Sequence, residues 1–268
     1  MTLPETQPFL TPMALAAVVT MTTMAGTWWL ARRIHNYGIV DAVWSFLFAP
    51  IAAAYATIGT GAPFRRALVA AMVALWSVRL GLHLIRRIKR DHPTEDRRYA
   101  ALRSEWGRSA DSRMLGFYQL QGILIIVLAT PFLFPVFNPL TAIHPLEWSG
   151  IVVFLLGLAG ESVSDSQLAR FKRRRPEKNA VCESGLWHYS RHPNYFSEWL
   201  IWVGFAIFAL PSPGGLIGLI APLLMLHFLL NVTGIPMTEE LAVVRKGGAY
   251  RKYQQTTSRF IPWLRKEQ

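Results

Sequence analysis

The sequence has a single cysteine, Cys182, among its 268 residues. One thiol cannot form an internal disulfide or supply the paired ligands of a cysteine-based metal or redox centre. His188 and His192 lie four residues apart, but Pro193 follows them and no third His or Cys is near. We therefore predict neither a disulfide framework nor a zinc site.

The starting motifs of several common enzyme classes are also missing. There is no Gly-x-Gly-x-x-Gly fingerprint after a strand and no Walker-type glycine-rich loop. A Gly-x-Ser-x-Gly elbow and a His-Glu-x-x-His helix are absent too. Serine hydrolases and zinc proteases are disfavoured, and a dinucleotide, if bound, is not held by a Rossmann domain.

Charged residues are scarce and apolar residues abundant. Asp, Glu, Lys and Arg make up 16% of the chain, hydrophobic residues 52%, and there are ten Trp. This is more apolar surface than a soluble domain of this length normally buries. We predict an all-α polytopic membrane protein in which residues 1–268 form one embedded domain.

Apolar segments near the roughly 20 residues that cross a bilayer predict about seven transmembrane helices. The sixth is short for a full crossing and contains Glu198, so it can also lie inside the bundle. The seven segments are Pro12–Leu30, Gly38–Ile58, Ala67–Ile85, Leu115–Phe137, Leu146–Asp165, Phe196–Pro211 and Gly214–Val232.

Loop charges predict the orientation. Of the 28 Lys and Arg residues, all except Arg65, Arg66 and Arg79 fall on the loops of one side. Positively charged loops stay in the cytoplasm, so the N-terminus is predicted outside and the C-terminus in the cytosol, in a bacterial inner membrane. The net charge of +12 then faces anionic lipid or a soluble anion, and we predict no nucleic-acid partner.

Ionisable residues within spans are candidates for function. Asp41 begins the second span, where it can be a functional acid or can form a packing ion pair with Arg79. Arg79 and His83, four residues apart, share one face of the third span. Such a pair can hold an anion or polarise a carbonyl, or it can be structural.

A second polar group ends the fifth span. Glu161 and Asp165 are four residues apart, and the basic run Arg170–Arg175 follows. In the purely structural interpretation, the acidic residues face water at the end of the helix and the basic run only anchors that end on the cytoplasmic side. Acidic acceptors followed by cations would also suit the ribose and phosphates of a nucleotide.

The densest polar stretch is Gly185–Glu198, which opens directly onto an apolar segment. Its side chains Arg191, His192, Asn194 and Glu198 are costly next to lipid, so we expect them to face a ligand or one another.

These residues resemble a known family. Glu161-Ser-Val-Ser-Asp165 with Lys172, then Gly185–Glu198 and Trp202, resemble the C-terminal domain of the steroid 5-alpha-reductase family, over about Leu146–Trp263. The resemblance implies NADPH-dependent reduction of the carbon–carbon double bond of a 3-oxo-delta-4 steroid or similar lipophilic enone. It implies cofactor contacts for Glu161, Asp165, Lys172, Arg191, His192, Asn194, Tyr195, Glu198, Trp202 and Tyr253.

The resemblance is weaker in the N-terminal half, residues 1–145, which would supply an apolar substrate pocket. The family's catalytic Tyr aligns with Trp76, whereas Arg79 is retained. Negative charge that develops on the enone oxygen must meet a preorganised donor. The candidates are Asp41, if protonated, and Tyr37 one turn earlier, with Arg79 as a third catalytic residue.

One alternative comes from a related membrane family. Arg191-His-Pro-Asn-Tyr195, followed by Glu239-Glu240, Tyr250 and Tyr253, also resembles isoprenylcysteine and phospholipid methyltransferases, which use S-adenosylmethionine. The cations after Asp165 favour the dinucleotide, because a methyl donor has no phosphate. A transporter or scaffold would instead line a path to both faces with polar groups, whereas the predicted outer loops 138–145 and 212–213 carry no Lys or Arg.

Overall fold

A computed structural model of the chain describes residues 7–174, 177 and 179–266, so Arg175 of the basic run lies outside the described residues. About 80% of the structure is helical, and the described residues contain no strand. Their one extended pairing is an isolated parallel bridge between Ser190 and Ser258. The predicted all-α fold is confirmed.

The chain divides into two compact units. The amino-terminal unit comprises Met1–Ile143 with Ser212–Ile217, and the carboxy-terminal unit comprises His144–Pro211 with Gly218–Gln268. Helices of the first unit are α1 Gln7–Ile34, α2 Ile39–Ile58, α3 Pro63–Asp91, α4 Arg97–Trp106, α5 Ala110–Leu128 and α6 Thr130–Leu133. Helices of the second are α7 Pro145–Arg173, α8 Leu186–Tyr189, α9 Pro193–Ala209, α10 Ile220–His227, α11 Ile235–Lys246 and α12 Gly248–Thr256, with a π-helical turn at Phe228–Val232.

Five helical stretches of the described residues are long and apolar enough to cross a membrane, or six if one bent pair is a single span. The five are Pro8–Ile34, Ile39–Ile58, Pro63–Asp91, Pro145–Arg173 and Gly215–Lys246, and the bent pair is Arg97–Leu128 with Thr130–Phe137. The protein is therefore a polytopic helical membrane protein. The predicted span Phe196–Pro211 lies on α9, a helix of 17 residues that is not among these stretches, and the count of seven spans stays a prediction.

Glycines let α7 and α9 pack closely in the carboxy-terminal unit. A Cβ atom on Gly157 would lie 2.8 Å from the backbone of Ser197 and Ile201, and one on Gly204 would lie 2.6 Å from the backbone of Phe154. Small residues at helix contacts allow such backbone approach within membranes. The close packing fixes the side chains of α7 relative to those of α9.

The two arginines on the predicted outer side cap backbone carbonyls. Arg65 is fully buried and donates to the carbonyls of Leu140 and Ala142. Arg66 donates to the carbonyl of Gly59, 2.5 Å away, just beyond the end of α2. These contacts use the guanidinium groups for local structure, which explains how they depart from the charge bias of the loops.

Candidate functional site

The start of α9 presents three of the predicted site residues on one face. Pro193 occupies the first turn, where a missing N–H costs nothing. Asn194, Glu198 and Trp202 follow at intervals of four residues, so they align along the helix. Glu198 Oε1 accepts a hydrogen bond of 2.8 Å from Trp202 Nε1, and both side chains are buried.

Helix α7 brings acidic residues and a cation to the same region. Asp165 Oδ1 lies 3.5 Å from Asn194 Nδ2. Glu161 is buried one turn earlier, and Lys172 is exposed two turns later. The predicted residues of α7 and α9 thus form an acceptor-rich surface with a cation about 10 Å further along the helix axis, from seven residues at 1.5 Å each.

His192 lies beside this surface and is almost fully buried. Its ring stacks on Tyr195 with centroids 5.5 Å apart and planes 5° apart. Its Nε2 is 3.1 Å from Glu239 Oε1 on α11. Burial lowers the pKa of His192 below its ordinary value, although the hydrogen bond and charge of Glu239 oppose this.

A pH dependence follows from the lowered pKa of His192. Between that pKa and 6.5, the unfolded chain binds a proton that the folded protein does not, so stability is lost as pH falls through this interval. We expect His192→Gln to flatten the decline of melting temperature with acid below pH 6.5. The exposed His227 supplies the control, and an unchanged slope in His192→Gln would contradict the assignment.

Arg191 is a buried strut between distant segments. Its Nε donates to Glu239 Oε1 at 2.6 Å, and its NH1 donates to the carbonyls of Gln254 and Thr257 at 2.7 and 2.9 Å. The last two carbonyls belong to the carboxyl end of α12, where a cation is favourable. The guanidinium group of Arg191 thus donates to acceptors of the protein itself, and its predicted contact with a cofactor stays a prediction.

Tyr253 has a similar structural place. Its buried hydroxyl donates to the carbonyl of Trp187 and lies 3.2 Å from that of Ser190. Burial raises its pKa, so the hydroxyl remains a donor at neutral pH. The side chain fixes the segment that leads into α9.

The catalytic candidate Asp41 lies in the amino-terminal unit within an ionic cluster. Its Oδ1 accepts from the hydroxyl of Tyr99 and its Oδ2 from Arg98, each at 2.5 Å. Arg87 NH2 lies 3.6 Å from Oδ2. Both oxygens accept hydrogen bonds, as an ionised carboxylate does, which disfavours a role for Asp41 as a proton donor.

The predicted pairing of Asp41 with Arg79 stays a prediction. Two cations that contact this carboxylate are Arg98 of α4 and Arg87 near the end of α3. Arg79 lies eight residues before Arg87, about 12 Å along the axis of α3. The register of α2 against α3 decides this pairing, and hydropathy does not reveal that register.

The second candidate acid, Tyr37, is also engaged. Its hydroxyl donates to Asp111 Oδ1 at 2.6 Å, and its backbone N–H donates to Glu95 at 2.7 Å. Burial and the Asp111 carboxylate raise the pKa of Tyr37 to about 12. It is therefore a neutral donor held in one orientation.

Sequence reasoning missed the partners of Asp41. Asp96 is the N-cap of α4, accepting from the backbone N–H of Arg98, and its carboxylate also contacts the guanidinium groups of Arg98 and Arg87. Asp preceding a helical segment is an N-cap signal, so the start of α4 could have been found. The contact with Asp41 could not, because it joins residues 57 positions apart.

Fold and site together define a polytopic helical membrane protein with clustered polar side chains at the ends of its helices. The chain belongs to the family described as "Protein of unknown function (DUF1295)", whose family model matches residues 27–257. It is similar to the uncharacterized protein C594.04c of Schizosaccharomyces pombe, with 24% identity over 270 residues that cover 88% of this chain and 76% of the relative. No solved structure matches the chain.

Proposed function

We propose that the protein is a membrane reductase that uses NADPH to reduce the carbon–carbon double bond of a 3-oxo-delta-4 steroid or similar lipophilic enone. The observation that carries the proposal is the surface shared by α7 and α9, where Asp165 meets Asn194 and where Glu198 is fixed by Trp202. The same residues had been selected from the sequence by the resemblance to steroid 5-alpha-reductases. The amino-terminal unit is proposed to bind the apolar substrate.

The donor set fits a nicotinamide dinucleotide. An amide such as that of Asn194 can pair with a carboxamide, and a carboxylate such as that of Asp165 can accept hydrogen bonds from ribose hydroxyls. Lys172 lies two turns nearer the predicted cytoplasmic end of α7, where a phosphate would be reached from water. The order of acceptors and cation along α7 therefore follows the order of groups in the cofactor.

The chemistry assigns separate tasks to the residues. NADPH, when bound, supplies a hydride for the β-carbon of the enone. Glu198 and Asp165 bind and orient polar groups of the cofactor, and the stacked ring of Tyr195 excludes water. Tyr37 stays the candidate donor toward the carbonyl oxygen, because its hydroxyl is neutral; its single proton would have to turn from Asp111 to the substrate.

A methyltransferase that uses S-adenosylmethionine is the second candidate. Four residues of the motif shared with those enzymes pack around one segment, because Arg191 and His192 both contact Glu239 while Tyr253 holds the backbone before them. This network would support either ligand. The exposed cations Lys172, Arg173 and Arg174 favour the dinucleotide.

The decisive experiment compares melting temperatures of the detergent-purified protein with NADPH, NADH and S-adenosylmethionine. A ligand that binds only the folded state stabilises it by about 2.7 kcal/mol at 100 times its dissociation constant. We expect NADPH to raise the melting temperature most. Stabilisation by S-adenosylmethionine alone would overturn the redox proposal in favour of the methyltransferase.

Asn194→Ala tests the surface itself. Loss of a hydrogen bond to a neutral ligand group costs about 1 kcal/mol, so we expect NADPH to bind about fivefold more weakly, while the melting temperature without ligand changes little. Asn231→Ala, the same change at an exposed position, is the control and should leave affinity unchanged. Unaltered NADPH affinity in Asn194→Ala would remove this residue from the site.

A further inference from the structure

The amino-terminal unit contains a polar pocket, and the candidate donor Tyr37 is one of the residues that line it. It has a volume of about 750 Å³ and lies where α1 ends and α5 begins. Three arginines and a histidine line it together with one carboxylate: Arg32, Arg33, His35, Arg103 and Asp111. The excess of cations suits an anion.

Only one of these three arginines is held in a short ion pair. Arg32 Nε forms an ion pair of 2.7 Å with Asp111 Oδ2. Arg33 instead stacks its guanidinium 3.9 Å from the ring centroid of Trp29. Among the described residues no acceptor lies on Arg33, so its N–H groups are available to a ligand while the cation–π contact orients the side chain.

Arg103 of α4 supplies a second cation to the lining of the pocket. Its contacts are long, at 3.5 Å to the carbonyl of His35 and 3.6 Å to Glu95, and its side chain is 40% exposed. Contacts of this length are weak, so a phosphate oxygen could replace them. His35 has a left-handed backbone (φ 54°), which ends α1 and turns the chain along the pocket.

Hydrogen bonds fix the position of Asp111, the one carboxylate that lines the pocket. Asp111 accepts from Tyr37 through its side chain and from Trp28 Nε1 through its carbonyl, at 2.6 and 2.8 Å. The carboxylate is thereby committed to Tyr37 and Arg32. A bound anion would meet a preformed surface and would not require the wall to be rebuilt.

The position of the pocket relative to the membrane indicates which kind of anion it can bind. Trp29, Leu30 and Ile34, on the last turns of α1, are each about half exposed. Exposed apolar side chains at the end of a membrane-spanning helix face lipid, and Trp prefers the level of the headgroups. The pocket therefore opens at the membrane surface, on the side that loop charge assigns to the cytoplasm.

We infer that this pocket binds the phosphodiester headgroup of an anionic phospholipid, with Arg33 and Arg103 as the phosphate ligands. Basic pockets between transmembrane helices on the cytoplasmic side are suited to such headgroups. The lipid is a structural ligand of the amino-terminal unit, and its binding does not depend on the proposed reductase activity.

The test uses the full chain purified in detergent and delipidated. Short-chain phosphatidylglycerol, short-chain phosphatidylcholine and inorganic phosphate are titrated separately while the melting temperature is recorded. We expect phosphatidylglycerol alone to raise it at submillimolar concentration. Arg33→Gln should weaken this effect about tenfold, since a charge-assisted hydrogen bond contributes roughly 1.5–3 kcal/mol.

Arg90→Gln is the matched control, because Arg90 is exposed at the end of α3 and pairs with its neighbour Asp91. It should keep the full response, and Arg33→Gln should keep its response to NADPH, which separates this inference from the reductase proposal. Equal stabilisation by phosphatidylcholine, equal stabilisation by inorganic phosphate, or an undiminished response to phosphatidylglycerol in Arg33→Gln would each overturn the assignment.

Discussion

Arg191→Ala is expected to remove most of the folded protein. The substitution leaves Glu239 without its buried cation and takes the donor from the carbonyls of Gln254 and Thr257. Breaking a buried ion pair from one side costs about 3–5 kcal/mol, a large part of the 5–15 kcal/mol that typically stabilises a protein. Yield of monodisperse protein in detergent and melting temperature would both measure the loss.

Two further variants make the Arg191 result interpretable. Arg251→Ala changes an exposed arginine on α12 and should alter stability by no more than about 0.5 kcal/mol. Arg191→Lys keeps the charge but loses the fork of donors, so an intermediate stability is expected. A stable Arg191→Ala protein that no longer responds to NADPH would instead make Arg191 a cofactor ligand.

Asp41→Asn is expected to lower the stability of the folded protein more than it lowers turnover directly. The neutral amide cannot balance Arg98 and Arg87, and its NH₂ group cannot accept a hydrogen bond from Tyr99 or Arg98. We expect a loss of about 2–4 kcal/mol, because the partners stay charged and largely desolvated. Melting temperature in detergent and protease resistance of the α3–α4 connection would report it.

The control for Asp41 is Asp91→Asn, which changes an exposed carboxylate paired with Arg90. It should leave the melting temperature nearly unchanged. If Asp41→Asn kept full stability but lost turnover of an enone with NADPH, Asp41 would be the catalytic acid that the sequence suggested. If stability and turnover fell in proportion, Asp41 would have a structural role in the amino-terminal unit.

The ionic groups around Asp41 and around Glu239 are built in the same way. Each joins helix ends that are distant in sequence, and each surrounds one carboxylate with at least one arginine: Asp41 with Arg98 and Arg87, Glu239 with Arg191. Charges that are costly near lipid become tolerable when they are paired. Three of the arginines that loop charge assigns to the cytoplasmic side, Arg87, Arg98 and Arg191, thus also connect helices or helix ends.

Part of the candidate site was accessible from the sequence. Asn194, Glu198 and Trp202 recur every four residues, so a helix starting at Pro193 had to align them. The Glu198–Trp202 hydrogen bond is the direct consequence of that spacing. Asp165, 29 residues before Asn194, was assigned by resemblance, and the close packing of α7 on α9 brings the two together.

Other residues were given ligand roles that local spacing alone could not test. Arg191 and Tyr253 stand among polar neighbours that read as a binding motif, but their hydrogen bonds go to protein groups 48 to 66 positions away. A polar side chain in an apolar segment must find a partner, and the sequence does not say whether that partner is a ligand or another part of the chain.

The sequence by itself determined the helical class and the membrane setting, because hydropathy over about 20 residues and the spacing of side chains on a helix are short-range properties. Tertiary structure alone decided that Asp41 contacts Arg98 of α4 and that Arg33 and Arg103 line one pocket. These outcomes depend on helix ends and on the register of one helix against another. Packing between segments sets that register, and no local pattern encodes it.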